Sequence, residues 1–306
     1  MDDKLLNSIE GKKRELDRNK PLTPGIVRKL EEEFSIAWTY NSNAIEGNTL
    51  SLQETEVVLN EGITIGGKTV NEHFEAINHK KGIEYVKMIV DKKRNLSEEV
   101  ILELHRIILS SIDDLEAGNY RKHNVRIVGA RHIPPQSIKI PNLMIEFIQW
   151  YQNNEYTLGI PQMAAELHYR FVMIHPFIDG NGRVARLIMN LFLMRNGFPP
   201  AIILKVDRKR YYRVLNQGNM GNLEPFYDFV GRAIERSLIL YLNSIKPGLS
   251  EKQMFILLRE AAEYCDYSQE YLSLLARKGR LAAVKIGKDW MTTKEAVEEY
   301  IETKKR

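Results

Sequence analysis

Cysteine and long apolar runs are what this sequence lacks most clearly. Among its 306 residues Cys265 is the single cysteine, so no disulfide can form within the chain, which favours a reducing setting. No stretch approaches the roughly 20 consecutive apolar residues that a membrane-spanning helix needs, and no apolar signal core follows the charged first residues. We therefore expect a cytoplasmic protein with no membrane partner.

A strong charge bias is also absent. The 44 lysines and arginines and the 40 aspartates and glutamates leave a formal net charge of +4. This imbalance is too mild to indicate nucleic-acid binding by itself. Partners must therefore be inferred from particular motifs rather than from the overall composition.

Internal repeats and low-complexity tracts are missing as well, and helical spacing dominates instead. With 43% apolar residues, the chain can build a sizeable core in two or three domains. We predict a mainly α protein with an N-terminal helical region (1–95), a helical core (96–245) and, after a linker near Pro247, a small α+β domain (250–306).

One segment departs from helical spacing. Apolar and polar residues alternate from Val125 to Val128, Gly129 interrupts the pattern, and the alternation resumes at His132 before Pro134-Pro135. Alternation around a central glycine predicts a short β-hairpin inside the helical protein. Both a binding element and a plain surface hairpin fit this pattern.

The segment from His175 to Arg186 concentrates chemically useful side chains. An apolar helical pattern stops at His175 and a second begins near Arg183, so residues 179–182, Asp-Gly-Asn-Gly, form a loop between two helices. Glycines allow backbone N–H groups to approach a ligand closely, and a helix N-terminus attracts anions. Arg183 and Arg186 share a helix face and would add two guanidiniums suited to a polyphosphate.

Two further side chains in this segment suit nucleotide chemistry. Asp179 offers a hard carboxylate oxygen, which Mg²⁺ accepts when it bridges phosphates. His175 has an ordinary pKa near neutrality, so it can take a proton from a hydroxyl group. A lone histidine before a proline is usually structural, and Gly-Asn-Gly is usually a turn. Only their combination with an aspartate and two arginines in register favours a phosphate site.

These twelve residues resemble the Fic signature, His-x-Phe-x-Asp/Glu-Gly-Asn-Gly-Arg-x-x-Arg, and match it at every fixed position. The resemblance covers roughly residues 30–240 and is strongest to the class whose inhibitory segment precedes the core, which includes the metazoan Fic enzyme of the endoplasmic reticulum. It implies a Fic (Fido) helical core with a β-hairpin flap. It also implies an enzyme that transfers AMP from Mg²⁺-bound ATP to a serine, threonine or tyrosine hydroxyl of a target protein, itself included.

The resemblance also assigns roles within the signature. His175 would deprotonate the target hydroxyl, Asp179 would hold Mg²⁺ on the α- and β-phosphates, and Arg186 would meet the γ-phosphate. The remaining phosphate contacts would come from Gly180, Asn181, Gly182 and Arg183. Within the same fold, donation of another nucleotide and removal of AMP are the open alternatives.

A second motif lies near the N-terminal third of the chain. Residues 42–47, Ser-Asn-Ala-Ile-Glu-Gly, resemble the family's inhibitory pattern Ser/Thr-x-x-x-Glu-Gly/Asn, with Ser42 and Glu46 at its fixed positions. A Glu46 carboxylate on Arg186 would occupy the guanidinium that the γ-phosphate needs and would add negative charge beside a triphosphate. The alternative is a capped helix end with an exposed glutamate.

Further positions are similar to the family's nucleotide and target contacts. Tyr211, Tyr212 and Asn219 resemble residues around the adenine and ribose, because aromatic faces stack on a base and an amide can bind its edge. The two tyrosines fit equally well as core residues at a helix start. The predicted hairpin (121–138) resembles the family's flap, which can pair with a target segment by strand addition, and its Val128 would pack near the nucleotide.

Two patterns are judged coincidental. Residues 62–69 satisfy the Walker A pattern Gly-x4-Gly-Lys-Thr, but helical spacing precedes them and no alternating β/α pattern follows, so we expect a surface loop or hairpin. His73 and His79 lie six positions apart, which is not a helical spacing for metal ligands. With one cysteine, a zinc cluster is not expected.

The C-terminal domain resembles an excisionase-like winged helix-turn-helix. We predict a helix, a turn near Asp266, a second helix from Ser268 and a two-strand wing from Ala283 to Met291. Such a fold can place its second helix in the major groove of DNA. From residue 251 on, 11 basic and 10 acidic residues leave a net charge of only +1, so DNA binding, protein docking and homodimerisation are all open. The rival function for the whole chain is a DNA-binding regulator whose core only senses nucleotide.

Overall fold

The computed structural model describes residues 1–22, 24–127, 132–155, 157–245, 256–286 and 289–304. Helices dominate, which confirms the prediction of a mainly α protein. Up to residue 245 they are α1 (Asp3–Arg18), α2 (Pro24–Glu46), α3 (Leu52–Glu61), α4 (Val70–Asp91), α5 (Glu98–Leu109), α6 (Ile140–Asn154), α7 (Ile160–Ile174), α8 (Asn181–Arg195), α9 (Arg208–Asn219) and α10 (Glu224–Ile245). Within the described ranges, no helix combines the length and the apolarity needed to cross a membrane.

Helix α8 lies at the centre of the helical core. It contacts α2, α4, α5 and α7, and nearly every side chain in its first thirteen residues is buried. A helix enclosed on all sides must be apolar all round or must pair its polar groups internally. Arg183 and Arg186 of α8 are only 2% and 1% exposed, so both guanidiniums need partners inside the protein.

One hydrophobic core joins the N-terminal region to the helices that follow it. Ile9 of α1, Leu104 of α5 and Ile234 of α10 are all fully buried in the same cluster of side chains. The predicted division at residue 95 stays a prediction, since the helices on both sides of it share this core.

Side-chain caps explain several helix ends. Ser97 caps α5, because its side chain accepts a hydrogen bond from the Val100 N–H. Thr69 caps α4 through a capping box, and α3 ends at the left-handed Gly62. Residues 62–69 therefore connect two helices without a preceding strand. They form the predicted surface loop and lack the strand that a Walker A phosphate loop requires.

The predicted β-hairpin needs correction in the part of the chain that the structure describes. Residues 121–127 and 132–138 form no strand, and the turn between them (128–131) lies outside the described residues. Hydrogen bonds from the Arg121 side chain join the two arms instead. Pro134-Pro135 lacks the N–H groups that a strand ladder requires, so alternation alone could not produce strands here.

The C-terminal unit has its own small sheet and core. It consists of β1 (Ile256–Leu257), α11 (Leu258–Ala261), a 3₁₀ turn (Ala262–Tyr264), α12 (Gln269–Arg277), β2 (Ala283–Ile286), β3 (Asp289–Thr292) and α13 (Lys294–Lys304). The strands are antiparallel in the order β1-β3-β2, and Lys285 pairs with Trp290. Ser268 caps α12, so the predicted second helix and wing strands are confirmed, whereas β1 and α13 were not predicted. The linker lies outside the described residues, and the start of the domain at residue 250 stays a prediction.

Candidate active site

The signature loop joins α7 to α8 through two left-handed residues. His175 follows the end of α7, and its φ of 50° is uncommon for a residue with a side chain. Gly180, with a φ of 76°, precedes α8, and its carbonyl accepts a hydrogen bond from the Val184 N–H at 2.9 Å. The N–H groups of residues 181–183 therefore stand at the start of α8, where helical geometry gives them no partner. Such a group of donors is suited to an anion.

Buried hydrogen bonds fix the loop. The Asn181 side chain accepts from the Phe177 N–H at 3.0 Å and donates to the Phe177 carbonyl at 2.8 Å. The side-chain amide is thus engaged inside the loop, and the phosphate contact of Asn181 stays a prediction.

His105 supports the same loop, and no sequence pattern distinguished it. Its Nδ1 accepts from the Gly118 N–H at 3.0 Å, so its Nε2 carries the proton and donates to the Asp179 carbonyl at 3.1 Å. The ring stacks on Phe177, with 3.6 Å between the ring centroids. Burial lowers the pKa of His105 to about 4, which keeps the imidazole neutral at neutral pH.

Glu46, the last residue of α2, contacts Arg186 of the signature. Arg186 Nη2 lies 2.7 Å from Glu46 Oε1 and 2.9 Å from the Ser42 carbonyl, and Arg186 Nε donates to Ser42 Oγ at 2.9 Å. Ser42 and Glu46 are four positions apart in the last turns of α2, so one helix face presents both of them to α8. The structure thus brings Ser42 and Glu46 of the inhibitory motif into contact with Arg186 of the signature.

The Glu46 carboxylate covers the start of α8. A β-carbon built on Gly182 would overlap Glu46 Oε1 and would lie 3.1 Å from Arg186 Nη1. Only glycine at position 182 leaves room for an anionic group this close to the helix N-terminus. Arg186 Nη1 is buried without a hydrogen-bond partner in the described structure, so one donor of the guanidinium is still available to a ligand.

Arg183 lies between two carboxylates on the other side of the loop. Its Nη2 is 2.9 Å from Asp179 Oδ2, and its Nη1 is 3.2 Å from Glu75 Oε1. Burial alone would raise the pKa of Asp179, but the Arg183 guanidinium and the Gly180 N–H lower it below its ordinary value. Asp179 is therefore an ionised carboxylate, and its side chain is 64% exposed.

A magnesium ion fits this set of donors together with phosphates. Mg²⁺ usually takes one or two carboxylates and completes its shell with water and phosphate oxygens. The exposed, ionised Asp179 beside an anion-binding helix start matches that requirement. The protein alone does not supply a full set of ligands, since the described ranges hold no cluster of three or more histidine, cysteine or acidic side chains arranged for a metal.

His175 is a neutral imidazole at the edge of the same site. Burial lowers its pKa to about 4, while the Val172 carbonyl and the charge of Glu46 act in the opposite direction. Above about pH 5 the ring is uncharged and can accept a proton. Its Nδ1 is buried with no hydrogen-bond partner among the described residues.

Arg121 anchors His175 to the flap segment, defined here as residues 121–138. Arg121 Nε donates to the His175 carbonyl at 2.8 Å, and its backbone N–H donates to the Pro176 carbonyl at 3.0 Å. Its Nη1 and Nη2 donate to the carbonyls of His123 and Pro135 at 3.0 and 2.6 Å. The residue is 1% exposed, and its rigid fork of donors fixes the base relative to both arms of the segment. Nothing in the local sequence pattern separates Arg121 from a surface arginine, so the sequence does not reveal this role.

Tyr211 lies in the core, which corrects its predicted contact with the nucleoside. It is 2% exposed, and its hydroxyl lies 2.8 Å from His168 Nε2. A stacked base needs an open ring face, and the packing of α9 against α10 closes that of Tyr211. Tyr212 is half-buried, with the Arg208 guanidinium 5.2 Å from its ring centroid, so it is the member of the pair that still has access to a ligand.

Two other predicted contacts have different outcomes. Asn219 is half-buried at the end of α9, where its Oδ1 accepts from the Tyr169 hydroxyl at 3.1 Å. Its contact with a nucleotide stays a prediction. Val128 lies outside the described residues.

His73 and His79 take part in structural hydrogen bonds. His73 Nε2 accepts from the Ile65 N–H at 2.8 Å, and His79 Nδ1 lies 3.2 Å from Thr39 Oγ1. Both histidines are buried, and among the described residues neither belongs to a group of side chains that could hold a metal.

Two family models match the chain. The Fic/DOC family model matches residues 95–193, which include the whole signature loop, and a helix-turn-helix domain model matches residues 258–305. The protein adenylyltransferase Fic of Drosophila melanogaster is 37% identical over 244 residues, which are 79% of this chain and 49% of that protein. The protein of the same name from Nematostella vectensis is 37% identical over 246 residues, or 80% of this chain and 57% of that protein. The chain thus spans about half the length of these curated relatives.

Solved structures resemble the described fold closely. A Fic domain containing signaling protein from Bacteroides thetaiotaomicron superposes with a TM-score of 0.75 at 30% identity, covering 80% of this chain and 99% of that one. Fic-1 from C. elegans superposes with a TM-score of 0.74 at 33% identity, covering 80% of this chain and 73% of that one.

Proposed function

The chain belongs to the Fic/DOC family, and we propose that it is a protein adenylyltransferase held inactive by its own Glu46. The proposed reaction transfers AMP from ATP to a serine, threonine or tyrosine hydroxyl of a target protein, which can be a copy of the chain itself, and releases pyrophosphate. The curated relatives carry the name protein adenylyltransferase, which supports this chemistry.

One contact carries the proposal of autoinhibition. The Glu46 carboxylate lies on Arg186 and over Gly182, in front of the N–H groups that begin α8. A terminal phosphate needs these same donors, and two anions cannot share them without strong repulsion. ATP therefore binds in a productive position only after Glu46 has moved away.

His175 is the proposed general base. As the target oxygen attacks the α-phosphorus, its proton passes to a nitrogen of the neutral imidazole, and the bond from phosphorus to the pyrophosphate oxygen breaks. Arg183, Arg186 and the N–H groups of residues 181–183 would stabilise the charge that develops on the phosphates. Asp179 would hold Mg²⁺ against the phosphates, and the ion would neutralise part of their charge.

Transfer of label from ATP marked on its α-phosphate tests the proposal directly. We expect Glu46→Gly to raise transfer about 10- to 100-fold, because the variant loses one charge-assisted hydrogen bond that must otherwise break before ATP binds. Glu46→Gln retains the side-chain volume without the charge and should give an intermediate rate. In the Glu46→Gly background, His175→Ala should abolish transfer while ATP binding persists.

Intact-mass analysis of the same reactions identifies the transferred group. A gain of one AMP on the protein or on an added target would support the proposal. Equal transfer by wild type and Glu46→Gly would refute the inhibitory role, and label transfer that survives His175→Ala would refute the proposed base. Competition by UTP, GTP and CTP decides whether another nucleotide is donated, and incubation of adenylylated protein with wild type detects removal of AMP.

DNA binding by the C-terminal unit is the second candidate function. The match to a helix-turn-helix model and the exposed basic side chains of Arg277, Lys278 and Arg280, at and beyond the end of α12, favour it. A salt-dependent shift of a DNA fragment that the triple alanine variant loses would support this function. If the same variant instead changes the sedimentation of the protein alone, the surface is a dimer contact.

A further inference from the structure

The wing of the C-terminal unit packs against the part of α2 that carries the inhibitory residues. Trp290 of β3 contacts a buried cluster formed by Tyr40, Ala44 and Leu52. Tyr40 and Ala44 belong to the last two turns of α2, and Ala44 stands between Ser42 and Glu46 in sequence. Leu52 begins α3, so the cluster against which Trp290 packs includes residues from both sides of the turn that follows Glu46.

A salt bridge and a close backbone approach extend this interface. Lys285 Nζ of β2 lies 2.9 Å from Glu56 Oε2 of α3. A β-carbon built on Gly279, just beyond α12, would lie 2.8 Å from the Tyr40 hydroxyl, so the two surfaces meet closely. The cavity left between them has a volume of only about 20 Å³, about enough for one water molecule.

Two other parts of the protein also hold the end of α2. From α4, the Glu75 carbonyl accepts from the Asn43 side chain at 3.1 Å. From the start of α9 and the segment before it, Arg208 donates to the Ile45 carbonyl at 2.6 Å, and the Lys205 N–H donates to Asn41 Oδ1 at 2.8 Å. These contacts lie within the helical core, whereas the wing belongs to a unit that has a separate small core. Ala282 and Met291 also pack against the helical core as partly buried side chains, so the wing contacts that core from outside. Of these three supports, the wing is the one that belongs to a unit with a core of its own.

We infer that the wing, through Trp290 and Lys285, positions the inhibitory turn of α2, so that separation of the C-terminal unit from α2 frees Arg186 for ATP. This inference rests on the proposed function. Glu46 cannot leave Arg186 unless the end of α2 shifts or the Glu46 side chain turns away, and the indole restricts the first of these movements. Trp290 is a positioning residue, because it acts on the site only through α2.

Linkage makes the inference testable in two directions. If wing contact favours the conformation that excludes ATP, loosening the wing must strengthen ATP binding, and bound ATP must loosen the wing by the same factor. Changes at positions that touch neither ligand commonly alter such coupling by a factor of about 2 to 30. The remaining supports of α2 keep the expected effect within this range.

Trp290→Ala in the full-length chain is the first variant. With Glu46 present, we expect ATP to bind about 2- to 30-fold more tightly, by calorimetry, and transfer of α-labelled AMP to rise by a similar factor. In the Glu46→Gly background, Trp290→Ala should change neither quantity, because the brake that the indole supports is already gone. Lys294→Glu, an exposed change on α13 of the same unit, is the matched control and should leave both quantities at the wild-type level.

A charge reversal at Lys285 tests the same interface independently, so the inference does not depend on the stability of the Trp290→Ala variant. Lys285→Glu places two carboxylates together and should strengthen ATP binding about 2- to 5-fold, the range expected for a partly exposed ion pair. Glu56→Lys added to Lys285→Glu restores the pair in reverse and should return ATP affinity to the wild-type value. A general loss of stability would not be rescued in this way.

The outcomes separate this inference from the proposed function. Wild-type ATP affinity in both Trp290→Ala and Lys285→Glu would overturn the inference, as would an equal increase in the Glu46→Gly background. If Glu46→Gly binds ATP tightly but transfers no AMP, the proposed activity fails. The coupling of the wing to Glu46 would still be measured, because its readout is ATP binding.

Discussion

Burial, rather than the ordinary acidity of imidazole, sets the protonation of His175. The ring is half-buried beside Arg121 and at the end of an apolar helix, and its pKa falls to about 4. A base with so low a pKa is uncharged throughout the neutral range, although it is a weaker proton acceptor than a free histidine. His175 is therefore unprotonated at any neutral pH, but its affinity for a proton is low.

This shift predicts the pH dependence of transfer. In the Glu46→Gly variant, the rate of the chemical step should stay level from about pH 8 to about pH 5.5 and should fall as the pH approaches 4, because protonation removes the base. Loss of Glu46 removes a charge that raises the pKa of His175, so the fall moves further towards acid. Single-turnover transfer of α-labelled AMP gives this profile. A half-maximal rate near pH 6.5 would show that the imidazole titrates as if exposed.

Sequence patterns predicted the residues of the site better than the residues that support it. The signature loop, Arg183, Arg186 and Glu46 are recognisable because their types and spacings are fixed by the chemistry of phosphate binding. His105 and Arg121 act through backbone carbonyls, which any residue type supplies, so their partners leave no trace in the sequence. The pattern left both roles open for Tyr211 and Tyr212, because helix spacing does not tell which of two adjacent tyrosines turns inward, and Tyr211 is the one in the core.

At the scale of elements, side chains rather than a strand ladder join the two described arms of the flap segment. Ser137 bonds to Asn124 and to the Lys122 carbonyl, and Arg121 makes the buried contacts. Arg121 donates to a carbonyl in each described arm and to the carbonyl of His175. Alternation of apolar and polar residues predicted a hairpin. Such a pattern indicates which face each side chain points to, but it does not show which backbone groups can form hydrogen bonds. Two consecutive prolines remove donors from one arm, and a buried guanidinium supplies donors in their place.

Substitution of Arg121 by lysine tests this arrangement. A lysine retains the charge but cannot reach three divergent carbonyls, so we expect a loss of about 2–4 kcal/mol in the free energy of unfolding. In the Glu46→Gly background, kcat for AMP transfer should fall at least about 10-fold, whereas KM for ATP should change little, because the base moves and the phosphate donors do not.

Arg126→Lys is the matched control, since Arg126 is an exposed arginine of the same segment. Denaturant unfolding and steady-state transfer should give wild-type values for this control. A wild-type kcat in Arg121→Lys would show that the anchor is purely structural.

For the whole molecule, local patterns predicted the parts but not the way in which they meet. Helix spacing predicted a helical core, and the predicted wing strands indicated a separate C-terminal unit. The structure contains both. The packing of Trp290 on Tyr40 joins residues 250 positions apart, and no local period encodes such a contact. The division at residue 95 stays a prediction for the same reason, because local patterns do not show that the helices on both sides of it share one core.

Buried histidines give the whole molecule a marked dependence on acid. Burial lowers the pKa of His105 and His175 to about 4 and that of His168 to about 3, and it holds the pKa of His79 well below its ordinary value. All four would take up protons near pH 6.5 in the unfolded chain. Between about pH 6.5 and 4, the unfolded state therefore binds more protons than the folded state, and stability must decrease as the pH falls.

The predicted result is a melting temperature that is level from about pH 8 to 7 and declines steadily from about pH 6.5 towards 4.5. A pKa difference of the size found for His105 corresponds to at most about 3 kcal/mol once it is fully expressed, so several such groups can outweigh the stability of a typical domain. Aspartates and glutamates with lowered pKa values, such as Glu72 at about 2, add to the loss only below about pH 4.5. Between about pH 6.5 and 4.5, the change in stability therefore comes mainly from the buried histidines.

His168→Gln and His123→Gln separate the buried group from histidine content in general. The first removes a group whose protonation the fold resists, so the slope of unfolding free energy against pH between about 6 and 4.5 should decrease by the equivalent of about one proton. The second changes an exposed side chain and should leave the slope unaltered. Calorimetric or denaturant unfolding across this window measures both slopes. If the wild-type melting temperature at pH 5 equalled that at pH 7, the folded protein would have to accept protons on these rings, and the neutral imidazole proposed as the base could not be maintained by burial.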